Sequence, residues 1–229
     1  MVLTLVLAES SIELVPNEIT DHKSVLALAR RKNKDPHRLI LDQSYHHSAI
    51  LRLGRSGIGR GRPDIAHFSL LLALGSPLNS DGDLRCFVHT RDDHIITVNP
   101  QARLPRNTDR FTSLLEQLYE ESVVPSSGTL LMSLRTGSLP SLLSELSSDL
   151  VVALTTQGAP KPMETVASEL ASAAKPVALV GGFPVGHFSL KTVEAPSWKY
   201  RIDHRPLEAW TVVARAVYDY EKIIGLERL

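Results

Sequence analysis

Two short apolar runs, Leu150-Val151-Val152-Ala153-Leu154 and Val177-Ala178-Leu179-Val180, constrain the fold more tightly than any other feature of the chain. Neither alternates polar with apolar residues, and a stretch of helical period, 162–173, separates them. Parallel strands read this way: a crossover helix must join them, and the helices then bury both faces of the sheet. The opening segment Val2 to Ala8 has the same texture and reads as a further buried strand. In such sheets the ligand crevice lies beyond the carboxyl ends of the strands. Thr155-Thr156-Gln157-Gly158 and Gly181-Gly182-Phe183-Pro184-Val185-Gly186 are therefore the natural ligand loops.

Periodicity along the rest of the chain gives a mixed α/β pattern. It predicts strands over 2–8, 38–42, 84–90, 94–98, 150–155 and 177–182, with a strand or turn over 129–135. Helices are predicted over 21–33, 45–53, 64–74, 109–121, 139–147, 162–173 and 206–223. Strands 84–90 and 94–98, joined by Thr90-Arg91-Asp92-Asp93, read as a hairpin. No run reaches the roughly 18 apolar residues of a membrane span, and the N-terminal segment lacks the basic start of a signal peptide. The single cysteine, Cys86, excludes an internal disulfide and a cysteine-rich zinc site, so a cytoplasmic, reducing environment is expected. Metal is not expected either, because the adjacent His46 and His47 point to different faces of a helix. No Gly-x-Ser-x-Gly elbow supports a hydrolase.

The formal net charge is zero, but the charges are unevenly placed. Residues 52–110 hold nine arginines and no lysine against six acids, while 111–175 hold three basic residues against seven acids. Arginine without lysine points to phosphate and bases, since its planar fork pairs bidentately with phosphate and stacks on rings.

Those arginines fall on two segments. Gly54-Arg55-Ser56-Gly57-Ile58-Gly59-Arg60-Gly61-Arg62-Pro63-Asp64 is a glycine-rich loop before a helix, suited to phosphate but lacking both the GxGxxG and P-loop motifs. A plain surface loop is the alternative. Asp64 caps that helix or orients Arg62 through an ion pair; position favours the cap, and a general-base role is the third reading. His67, three residues on, is expected to make a structural hydrogen bond. The second segment runs from Asn99 to Arg110. Its two prolines stiffen an extended backbone that presents Arg103 and Arg106, and Arg110 enters the next helix. RNA or phosphate binding is the first reading of this strip, and a solvated charged turn the second. Trp198 to Leu207 mixes aromatics with cations and either closes over a ligand or is an ordinary loop leading into a helix at Pro206.

With these blocks in view, the chain resembles the SPOUT-class ribosome-biogenesis methyltransferases that modify N1 of a pseudouridine in small-subunit ribosomal RNA. The resemblance is carried by Leu41-Asp42, His47-Ser48-Ala49-Ile50-Leu51, Arg62-Pro63-Asp64-Ile65-Ala66-His67, Ser76-Pro77-Leu78-Asn79, the block Val98 to Arg106, and Val180 to His187. It implies a single SPOUT-type domain over 1–229, with a mostly parallel sheet flanked by helices and a C-terminal trefoil knot. Residues 52–110 would form the RNA-binding part, through Arg55, Arg60, Arg62, Arg103, Arg106 and Arg110. Residues 150–229 would form the knotted part that binds S-adenosylmethionine through Thr155, Thr156, Gly158, Gly181, Gly186, Ile202, Asp203, His204, Arg205, Pro206 and Leu207. Arg62 and Asp64 would serve the chemistry. A homodimer is implied, with small-subunit ribosomal RNA and ribosomal or assembly proteins as partners. Where many relatives read Ser-Asn-Tyr-Pro-Leu, this chain reads Asp203-His204-Arg205-Pro206-Leu207, which puts side-chain contacts to the cofactor there in question. The chain lacks the extensions common in eukaryotic members and resembles the shorter archaeal form. The rival expectations are an rRNA-binding assembly factor without catalysis and a SPOUT methyltransferase acting on transfer RNA.

Overall fold

A computed structural model describes residues 2–226; residues 1 and 227–229, the ends of the expected 1–229 domain, lie outside the described residues. In chain order the elements are β1 (Leu3–Ser10), α1 (Lys23–Lys32), α2 (Gln43–Arg52), α3 (Pro63–Leu74), α4 (Pro77–Ser80), β2 (Leu84–Thr90), β3 (His94–Val98), α5 (Thr108–Glu121), β4 (Val123–Val124) and β5 (Met132–Thr136). They continue with α6 (Leu139–Leu146), β6 (Leu150–Pro160), α7 (Met163–Ser172), β7 (Pro176–Gly181), α8 (Leu190–Val193), β8 (Trp198–Arg201) and α9 (Ala209–Ile223).

The strands form one sheet of eight, in the order β4-β5-β3-β2-β1-β7-β6-β8. The five strands from β2 to β8 are parallel to their neighbours, as the apolar runs require, and β3, β5 and β4 extend the sheet antiparallel. "Mostly parallel" thus describes the half that carries the ligand loops. The unbroken hydrophobicity of the central strands is explained by their two packed faces. Leu3, Leu5 and Leu7 of β1, Val152 and Leu154 of β6, and Ala178 and Val180 of β7 join one core with α3, α5, α7 and α9. Val6 and Ala8, Val151 and Ala153, and Val177 and Leu179 join a second core with α6. Each run must therefore be apolar at every position, since successive side chains enter opposite layers.

One expected strand is corrected. Residues 38–42 hold the end of a 3-10 turn (Pro36–Arg38) and a single bridge from Ile40 to Leu14. Leu39 and Leu41 are apolar because they pack with Val25, Leu28 and Ile50 under α1 and α2, not because they sit in the sheet. The long C-terminal helix starts at Ala209, not at 206, with Glu208 at its N-cap position. It is anchored through buried Val213, Ala216, Val217 and Tyr220, and buried Glu221 accepts a hydrogen bond from the Leu78 N–H at 2.8 Å.

In the α1–α2 unit, Asp42 caps α2 by accepting from the Ser44 N–H (2.8 Å), and its own N–H donates to His46 Nδ1 (3.0 Å). His46 is fully buried, and its proton must sit on Nε2, which has no hydrogen-bond partner in the described structure. Burial pulls its pKa down from 6.5 to about 4, with nearby Lys32 adding to the effect. A base whose folded pKa is depressed contributes stability that is complete above pH 6.5 and is lost as pH falls toward 4. The unfolding free energy from urea melts should therefore drop by up to about 3 kcal/mol between pH 7 and pH 4. His46→Gln should flatten that dependence, and an equally steep profile in the variant would contradict this assignment.

Candidate functional site

The site begins where β1 ends. The Gly182 N–H donates to the Ala8 carbonyl and the Ser11 N–H to the Gly182 carbonyl, both at 2.9 Å, so the loop after β7 is zipped to the residues after β1. Ser11 also holds the arginine loop: its hydroxyl donates to the Gly59 carbonyl (2.6 Å) and its carbonyl accepts from the Arg62 N–H (3.0 Å). Gly59 and Val185 consequently lie against each other, a Cβ at Gly59 coming within 3.6 Å of the Val185 side chain. Glycine at 182 is dictated by this closeness, because a Cβ there would stand 2.0 Å from Ser10 Oγ.

Beyond these strand ends lies a cavity of about 630 Å³. Leu154, Val180, Phe188, Leu207 and Val212 make it apolar, while Thr155, Thr156, His187, Arg201, His204 and Glu208 bring polar groups. Of the expected cofactor residues, Thr155, Thr156, Gly181, Gly186, His204, Pro206 and Leu207 line it, and Ile202, Asp203 and Arg205 line a smaller cavity of about 70 Å³ that shares its wall. Gly158 lines neither cavity. Residues 155–158 form an irregularity within β6, Tyr200 pairing with both Leu154 and Ala159, and a Cβ at Gly158 would lie 2.5 Å from the Tyr200 backbone. Gly158 is thus required by the approach of β8. Asp203 faces the protein's own cations: it accepts from Arg205 Nε (3.1 Å) and Arg215 (3.2 Å). The Arg205 hydrogen bonds hold its carboxyl well below the usual carboxylate range.

On the arginine side, Arg62 and Asp64 form a bidentate pair, Nε and one Nη each donating at 2.8 Å. Asp64 does not cap α3. Pro63 starts that helix and Arg62 occupies the N-cap position, so the carboxylate is left to grip the arginine, raising the Arg62 pKa through these hydrogen bonds. Arg60 is corrected too. Its guanidinium is 15% exposed and is bound to buried Glu13 through Nε and Nη2, which makes it an internal strut rather than part of the exposed set. Arg55, Arg103, Arg106 and Arg110 are exposed. The strip 99–110 begins with a turn, the Gln101 N–H donating to Asn99 Oδ1 (2.9 Å), and then alternates: Ala102 and Leu104 inward, Arg103 outward. His67 fastens it to α3. Its Nε2 donates to the Pro105 carbonyl (2.6 Å), Nδ1 lies 3.4 Å from Thr108 Oγ1, and the ring stacks on Phe111 at 4.4 Å. Burial lowers the His67 pKa.

Sequence reasoning missed Ser10 and Ser11, Phe188 and Glu208. The strand-end rule applied to the first strand would have found the serines. Phe183 and Arg201 lay inside segments already singled out. Among the described residues no group of three or more His, Cys, Asp or Glu could hold a metal ion, and no helix is long and apolar enough to cross a membrane.

The family model for EMG1/NEP1 methyltransferases matches residues 5–221. The ribosomal RNA small subunit methyltransferase Nep1 of Pyrococcus furiosus is 44% identical over 219 residues, covering 96% of each chain. The protein of the same name from Pyrobaculum neutrophilum is 44% identical over 223 residues, covering 97% of this chain and 99% of its own. Among solved structures, Archaeoglobus fulgidus Nep1 bound to S-adenosylhomocysteine superposes with a TM-score of 0.85 at 32% identity, covering 98% of this chain and all of that one.

The contact between Gly182 and Ser10 makes a direct prediction. Gly182→Ala should lower the melting temperature by about 5–10 °C, corresponding to roughly 2–3 kcal/mol of forced separation. Ser10→Gly introduced in the same chain should restore part of the loss. An unchanged melting temperature in the single variant would show that the two strand ends are not in contact.

Proposed function

Because the chain belongs to the EMG1/NEP1 methyltransferase family, we propose that it is an S-adenosylmethionine-dependent methyltransferase of small-subunit ribosomal RNA. In this reading it acts on N1 of a pseudouridine during small-subunit biogenesis. The observation that carries the proposal is the seam at Ser11, where one residue binds both the glycine loop of the cavity and the arginine loop. The cavity fits the cofactor: its volume of about 630 Å³ is that of a small-molecule site, with apolar walls and polar groups at the strand ends. Thr155, Thr156, Gly181, Gly186 and the 202–207 loop would hold it. When bound, S-adenosylmethionine supplies a methyl group on a sulfonium leaving group.

The protein's own task is alignment. N1 of a pseudouridine carries a proton, because the base is joined to ribose through carbon, and it must be held in line with the methyl group. Arg62, Arg103, Arg106 and Arg110, with Arg55 at the edge, would take phosphates and a base displaced from its stack. Asp64 orients Arg62: both its oxygens already accept hydrogen bonds from that guanidinium and so fix the plane of its fork.

The proposal extends to a division of labour along one domain, with RNA held by 52–110 and the cofactor by a knotted 150–229. It also extends to a cytoplasmic homodimer working with ribosomal or assembly proteins. Dimerisation is supported by exposed aromatics on the outer face of α3 and α9, where Phe68 (42% exposed) meets the Trp210 ring edge-on at 5.5 Å and Tyr218 is 54% exposed.

Incubation with S-adenosylmethionine and small-subunit RNA, followed by mass spectrometry of the nucleosides, should show one methylated pseudouridine. Methylation confined to transfer RNA, or RNA binding with no methylation, would overturn the proposal. Arg103→Ala and Arg106→Ala should each weaken RNA binding and lower the slope of log Kd against log salt by about one. Asp64→Asn should lose RNA affinity yet keep normal single-turnover chemistry at saturating RNA, whereas a chemical step slowed at saturation would restore the base role.

A further inference from the structure

Glu208 is the single carboxylate among the residues lining the larger cavity, whose other ionisable groups are His187, Arg201 and His204. It stands at the N-cap position of α9, yet its side chain caps nothing, and among the described residues its carboxylate makes no hydrogen bond or ion pair. The neighbouring acids are all engaged. Asp64 is held by Arg62, Asp203 by Arg205 and Arg215, Glu13 by Arg60, and Glu9 by the Ser189 hydroxyl at 2.6 Å. Glu208 is exposed, and an anion with no protein partner at the wall of a cavity is complementary to a cationic ligand.

Its position along the cavity narrows the assignment. Glu208 lines the same cavity as Val185, which lies against Gly59 of the arginine loop, and its charge acts on Arg62. A base gripped by the arginines and a methyl group presented from the cavity have to meet where the cavity adjoins that loop. We infer that Glu208 recognises the positive sulfonium of S-adenosylmethionine and thereby distinguishes it from the uncharged thioether of S-adenosylhomocysteine, an inference that rests on the function proposed above. Transfer forms the N1–CH3 bond and breaks the S–CH3 bond with its electron pair left on sulfur, while the N1 proton passes to solvent. The charge that Glu208 attracts is thereby removed, and product exchange is favoured. The ammonium and carboxylate of the amino-acid end are common to both molecules, so only the sulfur centre can carry the difference.

The test is calorimetry on the full chain and on Glu208→Gln at one fixed salt concentration. The ligands are S-adenosylmethionine, S-adenosylhomocysteine, and sinefungin, which carries a protonated amine in place of the sulfonium. Glu208→Gln should weaken the two cationic ligands about fivefold, the scale of a partly solvated ion pair, and leave S-adenosylhomocysteine within about twofold. Glu208→Asp should keep most of the preference, and a melting temperature unchanged by Glu208→Gln would show that the variant is folded. Equal weakening of all three ligands, or of none, would overturn the inference. A native chain that binds none of them would overturn the proposed function itself.

Discussion

The structure turns on Ser11. Its amide nitrogen, carbonyl and hydroxyl each hold a different backbone group: the Gly182 carbonyl, the Arg62 N–H and the Gly59 carbonyl. A parallel sheet delivers strand ends to one edge but leaves their loops to find their own arrangement. Here the first strand's exit orients the other two loops. The seam is buried, Ser10 and Ser11 being almost wholly inaccessible, so these hydrogen bonds are shielded from competing water. Loop approach is close enough that only glycine serves at 182.

Charge is arranged around this seam by role rather than by quantity. A chain of zero net charge can still offer a basic strip when its acids are spent internally. Glu13 neutralises Arg60 beneath the loop and Asp64 fixes the fork of Arg62, while Arg103, Arg106 and Arg110 stay exposed. The strip that bears them is stiffened by proline and clamped by His67 through the Pro105 carbonyl. Little backbone freedom then remains to be lost when a phosphate arrives.

Much of this was legible in the sequence. The runs at 150–154 and 177–180 announced parallel strands, and the hairpin 84–90 with 94–98 has those very limits. What escaped shares a physical cause: local pattern reports burial, not the partner that buries. Leu39, Ile40 and Leu41 look like a strand but are apolar because helices cover them. β8 was invisible because three of its four residues are exposed or half-buried, and β4 because it is two residues long. Asp64 looked like a cap until Pro63 took the first helical position and moved the boundary back to Arg62. Gly158 looked like a ligand contact, whereas its constraint comes from Tyr200, some forty residues on and adjacent only in space. The resemblance to a family supplied the pairing of RNA and cofactor halves; the structure adds that Ser11 joins the loop after β7 to the arginine loop.

The central claim is that the cavity and the arginine loop, joined at Ser11, form one site with the strip that His67 fastens beside them. The most direct measurement is a crystal structure of the protein with S-adenosylhomocysteine and a small-subunit RNA hairpin. The account predicts one base extruded into the seam between Arg62 and the Gly181–Gly186 loop, facing the sulfur, with its flanking phosphates on Arg103, Arg106 and Arg110. An RNA bound away from that seam, with no base reaching the cavity, would contradict it.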